Sequence, residues 1–65
     1  MNLIEGLQEE INRCRELLKE YESIGNVGIF GATMIKQEIK EAENMIAMGD
    51  TIGMMKYYEG LKCII

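Results

Sequence analysis

The sequence predicts an all-α fold, in which an antiparallel helical hairpin and a shorter third helix assemble into a homo-oligomeric bundle. Two segments carry apolar residues at spacings that alternate between three and four, which places them on one face of a helix. Glycines separate these segments and also precede the third one. Strand-like alternation is absent from the sequence. We therefore interpret the 65 residues, 1–65, as one small helical domain.

The first predicted helix covers about residues 3–24. Its apolar seam follows a heptad pattern over about three repeats and consists of Ile4, Leu7, Ile11, Cys14, Leu18 and Tyr21. Leu3, Leu17 and Ile24 widen this seam on one flank, where a two-stranded coiled coil would carry charges. The wider stripe predicts contact with two neighbouring helices.

A glycine-rich loop over residues 25–31 and a second helix over about 32–48 follow. The second helix repeats the same spacing, with Ala32, Ile35, Ile39, Ala42 and Ile46 on one face. Gly49 is expected just beyond its end, because glycine adopts the left-handed conformation that ends many helices. Asp50 or Thr51 is expected to cap a third helix over about 51–63. The apolar residues predicted for that third helix are Ile52, Met55, Tyr58 and Leu61.

The composition argues against several functional classes. The net charge of −4 disfavours binding to DNA or RNA, which requires a basic face. The chain has no histidine and two isolated cysteines, so we expect no metal site, no cofactor and no catalytic constellation, and hence no enzyme. No signal-like or membrane-spanning stretch is visible, which favours a cytoplasmic protein that binds no membrane. Because so short a chain buries a small core, association with copies of itself is the expected source of stability.

The best candidate site for a ligand lies where the glycine-rich loop meets the second helix. A helix start offers free N–H groups and partial positive charge, and Gly28 and Gly31 would let an anion approach the backbone. Thr33, Lys36 and Lys40 share one face of this helix and would extend the site. Arg15 and Lys36 have no acid three or four residues away, so either they bind an anion or they pair with glutamates of a neighbouring helix or protomer. Phe30 would either stack on a nucleobase or close the apolar end of the hairpin.

Three segments carry a resemblance that covers nearly the whole chain: Asn2–Glu10, Gly28–Lys36, and Gly49–Asp50 together with Tyr58–Lys62. They resemble short uncharacterised helical proteins that are common in phage and prophage genomes. In size and helical make-up the chain is also similar to phage anti-defence sponges. Those proteins bind a cyclic-nucleotide or ADP-ribose-type immune signal in the bacterial cytoplasm and withhold it from its effector.

Two functional hypotheses follow from the sequence. In the first, the protein sequesters a phosphate-bearing cyclic nucleotide without catalysis, using Arg15, Gly28, Phe30, Gly31, Thr33, Lys36 and Lys40. In the second, it is a helical interaction module or inhibitor that docks on a host protein. Exposed methionines such as Met48 or Met54 would then matter more than the cations.

Overall fold

The computed structural model describes residues 2–25 and 29–64, and for residues 29 and 30 it describes the backbone alone. Three α-helices make up this part of the chain: α1 (Leu3–Ser23), α2 (Ile29–Met48) and α3 (Thr51–Lys62). The described residues contain no strand. The predicted all-α class with three helices is therefore confirmed.

Local signals fix the start of α1 and the reversal between α2 and α3. Asn2 caps α1, because its Oδ1 accepts a hydrogen bond of 2.8 Å from the Glu5 N–H. Gly49 has φ +69°; its N–H donates to the Ile46 carbonyl and the Asp50 N–H donates to the Met45 carbonyl. These two bonds form a Schellman motif, which closes α2 at the predicted glycine.

Asp50 is the residue that caps α3. Its Oδ1 accepts a hydrogen bond of 2.9 Å from the Gly53 N–H. Gly53 also allows α3 to lie close to α2, because a Cβ there would stand 2.2 Å from the Met45 Sδ. The chain therefore turns back on itself within two residues and packs tightly at once.

The three helices run up, down and up, and each contacts the other two. α3 folds back antiparallel along α2: Gly53 lies against Met45, and Gly60 lies near Glu38 at the far end. The end of α3 reaches α1, where the Leu61 carbonyl accepts a hydrogen bond of 2.6 Å from Arg13 Nη2. α3 is thus wedged against both helices of the hairpin.

The core contains residues from every helix and matches most of the predicted seams. Its buried members are Leu7, Ile11, Cys14, Ile35, Ile39, Ala42, Met54 and Leu61. Leu3 and Leu17 pack against this cluster, as expected for a helix with two neighbours. Ile4 is 45% exposed, because the buried face of α1 is centred toward Leu3 and Gly6.

The start of α2 and the buried face of α3 differ from the prediction. α2 begins at Ile29, three residues before the expected Ala32, so Gly31 lies in its first turn and not in the loop. The predicted face of α3 is wrong at its start, since Ile52 and Met55 are 81% and 56% exposed. Residues that recur at every third position shift around the helix by about 60° at each step, so they do not stay on one face.

The observed inward face of α3 uses Met54, Tyr57 and Leu61, which keep the three-and-four spacing, and Ile64 just beyond the helix packs against the same core. Met54 is therefore buried, at 5% exposure, and the expectation that it is exposed is wrong. Met48, by contrast, is 67% exposed as expected.

Candidate functional site

An open apolar groove of about 400 Å³ lies at the end of the bundle where α1 ends, α2 begins and α3 ends. It exists because α3 has 12 residues whereas α2 has 20, so α3 leaves the first turns of α2 uncovered. The described residues that line it are Tyr21, Gly31, Met34, Ile35, Glu38, Gly60 and Ile64. A volume of this size is within the range of about 300–1,000 Å³ that is common for ligand pockets.

Two glycines line the groove. Gly31 in α2 faces the ring of Tyr21, and a Cβ on it would lie 3.3 Å from the ring. Gly60 in α3 stands beside Glu38, where a Cβ would lie 3.6 Å from the carboxylate Oε2. The Tyr21 ring packs into the space beside Gly31, whereas Gly60 lets another molecule approach the backbone of α3 closely.

Glu38 is the charged side chain among the described lining residues. It is partly buried on α2, between Ile35 and Ile39 of the core. Within the part of the chain that the structure describes, it has no hydrogen bond or ion pair. The groove thus combines an apolar lining with one carboxylate that still lacks a cation.

The two cations singled out in the sequence are paired within the chain. Lys36 Nζ lies 3.2 Å from Glu22 Oε2. Arg15 Nη2 donates to Glu43 Oε2. Of the two interpretations left open by the sequence, pairing with glutamates of the antiparallel neighbour is the one observed. These pairs lie near the surface, with each side chain about half exposed or more.

Arg15 and Lys36 belong to separate ion pairs and lie apart on the described surface. The two ion pairs are one heptad apart, which corresponds to about 10 Å along the bundle. Thr33 and Lys40 are exposed on α2, and Gly31 lines the groove. Gly28 and the side chain of Phe30 lie outside the described residues.

Arg13 on α1 contacts both its own helix and the end of α3, and the contact with α3 was not predicted from the sequence. Its Nε donates to Glu10 Oε2 at 3.0 Å, three residues earlier on the same helix. The same guanidinium also donates to the Leu61 carbonyl, 48 residues away. The hydrogen bond with Glu10 raises the pKa of Arg13. Arg13 therefore caps the carbonyl end of α3 with a charge of the favourable sign.

Cys14 lies beside this cap in the core, and its Sγ is 3.8 Å from the Leu61 carbonyl oxygen. Burial raises the pKa of the Cys14 thiol, an effect that the nearby Arg13 charge partly opposes. A buried thiol with a raised pKa is a poor nucleophile. Cys63 is exposed, and neither cysteine forms a disulfide.

A second partly buried polar contact joins α3 to α2. The Tyr57 hydroxyl donates to Glu41 Oε2, and Gln37 Nε2 donates to Glu41 Oε1 at 2.8 Å. The bond from Tyr57 lowers the pKa of Glu41 and raises that of Tyr57. Tyr58 also packs against the core.

Large apolar side chains are exposed at the opposite end of the bundle from the groove. Met48, Ile52 and Met55 are 67%, 81% and 56% exposed around the turn between α2 and α3. We call these three residues the turn patch. Among the described residues, none of the helices is both long and apolar enough to cross a membrane, and no group of three metal-ligating side chains comes together.

Comparison with known proteins adds no relative: no family model, curated protein or solved structure matches this chain.

Proposed function

We propose that this protein is a non-catalytic helical interaction module that docks on another protein by holding one of its apolar segments in the groove. The observation that supports this most directly is the stretch of the hairpin beside the end of α3 that the other described residues leave open. Its described lining is mainly apolar and includes Met34, which is 60% exposed. Exposed methionine provides an adaptable surface for a protein partner.

The ion pairs favour this function over the sequestration of a nucleotide. Arg15 and Lys36 each face a carboxylate, so a phosphate at either cation would have to displace or repel a glutamate. The groove itself presents Glu38, whose charge also repels phosphate. A protein segment with apolar side chains meets neither obstacle.

Self-association is the second part of the proposal. The turn patch exposes three large apolar side chains on a chain of 65 residues, which copies of the protein would cover in a homo-oligomer. The groove lies at the other end and stays open in such an assembly. The resemblance to phage-encoded helical proteins makes the cytoplasm of a bacterial host, and an anti-defence role there, the setting that we propose.

The oligomer is tested by multi-angle light scattering on the wild type and on Ile52→Glu. We expect the wild type to have a multiple of the 7.4 kDa chain mass and the variant to be a monomer. A variant with the same charge change at an exposed position of α1 away from the patch, Asn12→Glu, should keep the wild-type mass. A monomeric wild type at concentrations of tens of micromolar would overturn the self-association.

Docking in the groove is tested with peptides selected from a displayed library of helical sequences against the immobilised protein. We expect selected peptides to lose their binding to Gly60→Leu, which fills the groove, and to keep it on Ala47→Leu. Ala47 is exposed on α2 and does not line the groove, so it controls for an added leucine. Failure to select any peptide, or equal binding to both variants, would overturn the docking function.

The nucleotide hypothesis is tested on the same protein by thermal denaturation with cyclic dinucleotides, cyclic trinucleotides and cyclic ADP-ribose isomers. A nucleotide at 100 times its dissociation constant would raise the melting temperature by roughly 10–20 °C in a domain of this size. We expect no such shift. A shift that disappears in Lys36→Glu would establish nucleotide binding instead.

A further inference from the structure

We infer that the segment held in the groove is a basic amphipathic helix, whose apolar side chains enter the groove while a lysine or arginine pairs with Glu38. This inference rests on the docking function proposed above and specifies the chemistry of the partner. It draws on the shape of the groove and on the charge at its wall.

The shape favours a helix as the occupant. The groove follows the hairpin where α3 stops, so a helical segment placed there would continue the packing of α3 against α2. Gly60 leaves space on the α3 side of the groove for the close approach that helix packing requires, at interaxial distances of about 8–10 Å. A partner helix would then insert side chains at i, i+3, i+4 and i+7, as in other complexes of a helix with a groove.

The charge at the wall selects a basic partner. A helix that covers the groove removes water from the Glu38 carboxylate, and no described residue of this chain replaces that water with a cation. A purely apolar helix would leave the carboxylate without compensation, and an acidic one would repel it. The net charge of −4 adds a long-range attraction for a basic segment.

The experiment compares which helical peptides a displayed library yields against the wild type and against Glu38→Lys. We expect wild-type peptides to carry lysine or arginine three or four positions from an apolar anchor. Their affinity for Glu38→Lys should be weaker by roughly tenfold, as for a lost pair in a partly desolvated site. Peptides selected against Glu38→Lys should carry aspartate or glutamate at that position.

Glu9→Lys provides the matched control, because it changes the net charge by the same amount at an exposed position of α1 that does not line the groove. Wild-type peptides should bind Glu9→Lys within about twofold of the wild type after screening by 0.15 M salt. An equal loss on both variants would show a general charge effect and overturn the inference. Peptides without a basic preference that still lose binding to Gly60→Leu would overturn the inference but keep the docking function. Peptides indifferent to Gly60→Leu, or no peptides at all, would overturn the docking function itself.

Discussion

Arg15 on α1 and Glu43 on α2 form an ion pair that links the two helices of the hairpin. A second pair links the same helices, with the acid and the base on the opposite helices. Moving seven residues along each helix toward the loop leads to Glu22 and Lys36, which lie 3.2 Å apart. The base is on α1 in the first pair and on α2 in the second. Charges at heptad spacing beside an apolar seam set the register and orientation of paired helices. Both pairs are satisfied only in this antiparallel register.

Exchanging the charges of the first pair should therefore preserve the hairpin, while reversing one of them should weaken it. Arg15→Glu places an acid against Glu43, and we expect it to lower the free energy of unfolding by about 1 kcal/mol. The double variant Arg15→Glu/Glu43→Arg restores opposite charges and should recover most of the loss. Urea denaturation of the four proteins in the cycle measures the coupling, and a cycle without recovery would show that the pair does not set the register.

The hairpin and its seams were predictable because helical periodicity and capping are local properties. Leu7, Ile11 and Ile39 repeat at helical spacing, and Gly49 needs only its own backbone to end α2. The face of α3 was also predictable from periodicity, since Met54, Tyr57 and Leu61 keep the three-and-four spacing. The close contact of Gly53 with Met45 was not, because it exists only once both helices are in place. The partners of Arg15 and Lys36 lie 28 and 14 residues away, so their identity depends on the register of the hairpin.

The cap that Arg13 provides for α3 should contribute measurably to stability. Arg13→Gln removes the charge that faces the Leu61 carbonyl, and we expect a loss of about 1 kcal/mol together with faster hydrogen exchange in the last turn of α3. Lys19→Gln is the control, since Lys19 pairs only with Glu16 on its own helix among the contacts described and is largely exposed. Equal effects of the two variants on α3 exchange would contradict the role of Arg13.

Alanine should have opposite effects at two glycines of the bundle. Gly60 is within α3, and an added Cβ would meet Glu38 at an ordinary contact distance of 3.6 Å. Gly60→Ala should therefore stabilise the protein by up to about 1 kcal/mol, the difference in helix propensity. Gly49 has φ +69°, where alanine costs roughly 1–2 kcal/mol, so Gly49→Ala should destabilise it. Thermal denaturation reports both signs, and a shared sign would contradict this account of the turn.

The hydrogen bond from Tyr57 to Glu41 should make stability depend on pH at both ends of the scale. The pKa of Glu41 is lowered in the folded protein, so its contribution is present above the ordinary value of about 4.3 and is lost as the pH falls through the folded value. The pKa of Tyr57 is raised, so its contribution is present below about 10 and is lost as the pH rises through the folded value. Tyr57→Phe should lower the melting temperature at neutral pH and flatten the dependence of the melting temperature on pH on both sides.

Tyr58→Phe, which removes a hydroxyl from the other packed tyrosine, should leave the shape of this pH profile unchanged. Melting temperatures measured from pH 3 to 11 compare the three proteins. If the difference between wild type and Tyr57→Phe stays constant with pH, then the hydroxyl contributes through packing and not through the carboxylate.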